Sequence, residues 1–287
     1  MNFGMREAVD VVFKATSPRT IGNTSFVTGE PVLYFDSAKT STLEGEATTV
    51  YAQGGKGNPR LIAWEGDKVV TFMFEEALLS PLGISVLTGA GLIEAAEDSE
   101  VVMHRKAKVE GTVSTGVVTV DILDALEGLD LADEDVFGFI IDGNDEIIER
   151  LGKATDADDP EAITFATTAA DGEVYVLVDF YVSVESGAKE INITANEFAG
   201  YYYIEGDTLF RRQSDGKDLP AQLVIPNAKI QSNFNFTMAG TGDPSTFSFT
   251  ADAFPGMVKG SPYGRRVLSA IQILDGDVAV EEGTSGD

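Results

Sequence analysis

Short runs in which apolar and polar residues alternate, cut by turn dipeptides, dominate this chain and leave it little choice but β-sheet. Lys68–Glu75 reads Lys-Val-Val-Thr-Phe-Met-Phe-Glu, and Glu173–Val182 is dense in valine, tyrosine and phenylalanine. Similar runs span Val101–Val109, Glu190–Thr194, Gly200–Ile204, Thr208–Arg212, Gln231–Met238 and Thr246–Phe254. β-Branched and aromatic side chains at period two sort onto opposite faces of a pleated strand. Gly206-Asp207, Asp215-Gly216 and Asp275-Gly276 are expected to supply turns, because glycine and aspartate tolerate positive φ. The expected fold is mainly β, an antiparallel β-sandwich or barrel.

Helical signals are few. Ser80 suits an N-cap, Pro81 the first helical position and Gly89 a left-handed end, so Pro81–Thr88 is expected to form one short flanking helix that packs on a sheet. In Asp121–Leu129 the residues Ile122, Leu123, Leu126 and Leu129 also fall at helical spacing. That stretch opens an acidic segment, Asp121–Glu161, with 15 acidic and two basic residues. The expected organisation is a β domain over 1–110 and 170–274, an acidic α/β insertion or small subdomain over 111–169, and a loose acidic tail over 275–287.

Charge and composition narrow the function. Forty-seven acidic residues against 20 basic ones give a net charge of −27, which repels nucleic acid and anionic lipid over long range. There is one histidine, His104, and no cysteine, so disulfide frameworks and cysteine–zinc sites are excluded. Met1–Asp10 lacks the apolar core of a signal peptide, and no apolar run approaches the roughly 20 residues that span a bilayer. A cytoplasmic origin and no membrane partner are expected.

Candidate chemical motifs fail on their surroundings. Gln53-Gly-Gly-Lys-Gly-Asn-Pro59 resembles a phosphate loop, but Lys56 is followed by Gly57 and then by a strand-like run, Pro59–Trp64, where a phosphate site needs a helix N-terminus. It reads as a flexible loop able to touch a neighbour. His104 sits beside Arg105 and Lys106 in an alternating strand, with no G-x-S-x-G elbow anywhere. With 47 acids, a carboxylate pair at glycosidase spacing has no specificity, and Trp64 is the only tryptophan to line a sugar groove. Asp142-Gly-Asn-Asp-Glu146 and Asp156–Asp159 offer oxygen ligands but lack the EF-hand spacing and read as solvated turns. The aromatics of Tyr201-Tyr-Tyr203 read as cross-strand packing, since a base-stacking platform needs a basic surround. No cofactor and no metal are expected.

Two passages carry a resemblance. Pro31–Gly91 has the wording of phage virion proteins: a strand, a long loop, a strand pair and a short helix opened by Ser-Pro. Ile225–Phe254, with Gly242–Thr250 reading GDPSTFSFT, resembles the closing hairpin of bacteriophage tail tube (major tail) proteins. The resemblance implies a non-enzymatic structural subunit whose homo-hexameric or trimeric rings stack, closing a continuous β-barrel around a channel through which viral DNA passes without specific binding. It implies other phage tail proteins as partners, a virion location, and assembly in the bacterial host cytoplasm. Six copies at −27 would total −162, of which only charge within a Debye length of about 8 Å of the channel wall would act on DNA. The acidic segment departs from a minimal tube subunit.

The residues expected to act are contact residues. The loop with Tyr51, Gly54, Gly55, Lys56, Gly57, Asn58 and Arg60 is the candidate inter-subunit contact. Val70, Phe72, Phe74, Phe234, Phe236, Phe247 and Phe249 are the candidate barrel-strand residues. Other readings are a capsid decoration or baseplate protein, and a carboxylate-dependent glycan hydrolase.

Overall fold

The computed structural model describes residues 2–5, 9–78, 80–132, 135–235, 246–261 and 264–274. By its contacts the chain divides into two compact units, Met1–Leu92 with Ile191–Asp287, and Ile93–Glu190. The second contains the whole 111–169 segment and extends past it at both ends.

The first unit opens with β1 (Phe3–Met5), β2 (Asp10–Ala15), a hairpin of β3 (Arg19–Ile21) and β4 (Thr24–Phe26), and β5 (Pro31–Phe35). Two long strands follow, β6 (Ala38–Gln53) and β7 (Arg60–Glu76), then α1 (Pro81–Thr88) and β8 (Gly91–Glu94). The second unit holds β9 (Val101–Ser114), β10 (Val117–Val120), β11 (Asp130–Leu131), β12 (Phe137–Ile141), β13 (Ile147–Lys153), β14 (Ile163–Ala166) and β15 (Gly172–Val184). The chain returns through β16 (Lys189–Asn192), β17 (Tyr201–Arg212), β18 (Asp218–Ile230), β19 (Phe247–Ala253), β20 (Gly256–Met257), β21 (Arg266–Val267) and β22 (Ala270–Ile273).

In the first unit the strands run β5-β2-β17-β18-β19-β7-β6 in one antiparallel sheet, with β1 added to β17 and β22 to β18. β2 and β7 lie at well-separated places in this order, yet the rings of Phe13 and Phe74 are 5.9 Å apart, and Phe35 of β5 is 4.8 Å from Phe249 of β19. The sheet therefore curls into a half-barrel around an aromatic core, which also takes in Phe72, Tyr202, Ile204 and Ile225. Helix α1 flanks the sheet on this inner side, with Val86 and Leu87 in the core and the partly buried Leu82 packed against it. Its boundaries follow from its ends: Ser80 Oγ accepts the Gly83 N–H at 3.0 Å, and Gly89 turns left-handed at φ 74°.

In the second unit the order is β13-β12-β15-β9-β10-β14, with β11 on β15. β15 shows the period-two logic most clearly: Val176, Val178, Phe180, Val182 and Val184 all point into the core with Ile140, Ile163 and Phe165.

Three expectations need correction. Gly206-Asp207 is not a turn but lies inside β17, where Gly206 makes room for Val9: a Cβ there would sit 2.1 Å from Val9 Cγ1. Asp121–Leu129 forms only a 3-10 turn, Leu123–Leu126, because Glu127 and Gly128 both take positive φ (54° and 82°) and end it. The insertion is thus β with one 3-10 turn and no α-helix among its described residues. Residues 231–235 of the expected strand Gln231–Met238 are irregular, since β18 already ends at Ile230; 236–238, like the 275–287 tail and the Asp275-Gly276 turn, fall outside the described residues.

Candidate inter-subunit surfaces

The β6–β7 hairpin is longer than the sheet that supports it. β19 pairs with β7 only from Thr71 to Glu76, whereas β6 and β7 stay paired outward through Gly45↔Val70, Val50↔Trp64 and Ala52↔Ile62 to Gln53↔Arg60. Gly45 to Gln53 at about 3.3 Å per residue makes an arm roughly 30 Å long. In β7, residues from Arg60 to Val69 are exposed on both faces, and burial begins at Val70.

The arm alternates as a buried strand would, with none of the described residues over it. Val50, Ile62 and Trp64 share one face and are 63%, 55% and 53% exposed. Tyr51 lies on the other face, where the Arg60 guanidinium covers its ring at 4.0 Å. An uncovered ribbon with apolar residues on both faces is a binding or aggregation surface.

Of the expected contact residues, Gly54, Gly55, Lys56, Gly57 and Asn58 form the tip of this arm; Tyr51 and Arg60, expected in a loop, are instead paired in β6 and β7. Gly55, Gly57 and Asn58 have φ of 83°, 88° and 49°, so three of four consecutive residues sit in the left-handed region. Gly54 N–H donates to Pro59 C=O, Asn58 N–H to Gly55 C=O, and Asn58 Nδ2 to Gln53 Oε1 at 3.2 Å. The glycines thus set a tight tip that holds Lys56 out from the two strands. Val50, Leu61, Ile62 and Trp64 are exposed apolar residues that the sequence reading did not single out, although the strand-like run Pro59–Trp64 holds three of them.

The barrel-strand residues divide. Val70, Phe72 and Phe74 of β7 and Phe249 of β19 are buried, Phe74 and Phe249 stacking at 4.9 Å, and Phe247 packs at the edge of the same core. Phe234 is half-exposed and irregular, a correction to its placement in a strand, and Phe236 lies outside the described residues.

Other candidate chemistry stays dispersed. His104 Nε2 bonds Asp179 Oδ2 at 2.7 Å on an exposed strand face. The Asp142 carboxylate accepts the N–H groups of Asn144 and Glu146; the Glu146 bond first, then the Asn144 bond, hold its pKa below the ordinary aspartate value. Among the described residues no cluster of acidic or histidine side chains could hold a metal ion. Burial raises the pKa of Glu76 at the end of β7, against bonds from Leu78 and Ala77 N–H to Oε1, while Oε2 has no partner among the described residues.

No helix of the described residues is long and apolar enough to cross a membrane. No curated protein matches the chain. The model of the YomU/Tube protein family matches residues 21–261, which takes in the second unit's sheet, the arm, and the first unit's sheet except β1, β2 and β22. The chain belongs to the YomU/Tube protein family, a family of phage tube-type structural proteins.

Proposed function

We propose that this protein is a tail tube subunit that polymerises into stacked homo-oligomeric rings, six-membered or trimeric, around a channel for viral DNA. The observation that carries this reading is the half-barrel whose outermost strand runs on into an uncovered arm. A half-barrel leaves β5 and β6 as edges, and unpaired strand edges recruit further strands unless blocked. Ring closure would pair those edges between neighbours and complete a wide barrel. Other tail proteins would cap the stack, in a virion assembled in the host cytoplasm.

The charge supports a division of labour. Ile93–Glu190 holds 25 acidic and 6 basic residues, a net of −19, and the rest of the chain holds 22 and 14, a net of −8. Six copies of the half-barrel unit would therefore bring −48 to the tube, not −162. That is still enough to deny DNA phosphates an attractive wall. The strongly acidic unit would act in solubility and in keeping nucleic acid from the assembled surface.

Shortening the arm tests this reading. Replacing 51–60 by a two-residue Asn-Gly turn should leave the far-ultraviolet circular dichroism unchanged and remove high-molecular-weight species in sedimentation velocity. Undiminished polymerisation of the shortened chain would exclude the arm as the stacking element.

A further inference from the structure

Resting on the stacked-ring reading, we propose that the arm tip docks in a second copy of this chain, with Lys56 and Arg60 set against Asp10 and Asp207. The receiving cleft, of about 620 Å³, runs between the start of β2, the middle of β17 and β22. It combines those two aspartates with an apolar rim of Leu209, Pro220, Ile273 and Leu274.

The arm supplies the first half of the argument. Its apolar faces are uncovered, and neither Lys56 nor Arg60 forms an ion pair with its own chain among the described residues. Arg60 instead lies on Tyr51, which fixes its guanidinium at the tip. A partner for this tip must offer negative charge beside apolar surface.

The cleft supplies the second half. Asp207 stands directly opposite Asp10 in the β17–β2 ladder, and both are exposed. Like charges directly opposite across a strand pair destabilise it. Asp207 accepts a bond from Gln222 Nε2 at 2.9 Å, but no cation of the same chain pairs with either aspartate among the described residues. Two cations from a neighbour would relieve that repulsion.

Two other clefts on this unit fail by charge. The cleft of about 700 Å³ beside Tyr203 is lined by Lys14, Lys259 and Arg266 and would repel the same tip. The cavity of about 310 Å³ at Phe72 and Phe210 has no charged side chain in its lining to answer the two cations.

The absence of native cysteine makes cross-linking decisive. The full chain carrying Lys56→Cys with Gln272→Cys should, on oxidation at an assembling concentration, give a covalent ladder longer than dimers. Lys56→Cys with Lys259→Cys should give none. Asp207→Arg should raise the concentration needed for assembly about tenfold or more, and adding Arg60→Asp should restore it to within about threefold. Asp207→Asn, which keeps an acceptor for Gln222, should shift it in the same direction by less.

A ladder from the Lys259 pair, or charge reversals that leave assembly unchanged, would overturn the docking while leaving stacked rings standing. Failure of the unsubstituted chain to form rings or tubes at any concentration would remove both.

Discussion

Glu76 sits in an environment that opposes its charge. It is 1% exposed, one carboxylate oxygen lacks a partner among the described residues, and Asp36 and Asp10 add unfavourable charge to the burial that raises its pKa. Its folded pKa lies above the ordinary 4.5, so the stability linked to it is fully present below pH 4.5 and declines as pH rises through the folded value. Glu76→Gln should therefore stabilise the protein at pH 7, on the order of 1 kcal/mol, with the gain vanishing near pH 4. Thermal melts of both proteins across that range check the sign; a gain that persists at pH 4 would place its origin elsewhere. Gly89 makes the opposite case, a residue without tolerance. Its φ is 74°, and a Cβ would lie 2.1 Å from the Phe198 carbonyl carbon. Gly89→Ala should cost at least about 2 kcal/mol in denaturant unfolding. Gly89 was legible in the sequence because Ser80, Pro81 and Gly89 mark a helix locally. Gly206 was not, because its reason is Val9, almost two hundred residues away in sequence.

At the scale of elements, strand identity was readable and strand ending was not. Alternation located β15 and β19 within two residues of their limits, because one buried face imposes period two, but it missed the start of β7 by eight residues and the end of β9 by five. The same rule gives no warning that the outer half of β7 has no sheet beneath it, since exposed and buried strands alternate alike. β18 shows another gap: it contains Pro220 and Pro226, which argue against a strand. Pro226 and Asn227 fall in a bulge, where three steps from Ala228 to Ile225 oppose two from Tyr202 to Ile204. Two element-level outcomes follow from burial. Phe74→Ala should cost about 3–5 kcal/mol, because its ring contacts Phe13, Phe35, Phe72 and Phe249. Trp64→Ser, at the uncovered arm, should change stability by no more than about 0.5 kcal/mol and still suppress polymerisation in sedimentation.

For the whole molecule, two separate cores and an uneven charge set the behaviour. The half-barrel core and that of Ile93–Glu190 share no residues. Calorimetry should resolve a component that Phe180→Ala lowers and Phe74→Ala leaves in place. The net charge, read from the sequence as one property of the chain, belongs mainly to the second unit, and only the division into units made that visible. The central claim is that the half-barrel completes itself in rings of identical copies that stack through the arm. Negative-stain electron microscopy of the purified full chain at high concentration tests it most directly. Stacked rings or tubes with a central hole wide enough for duplex DNA are the predicted result. Separate particles at every concentration, with the arm intact, would contradict it.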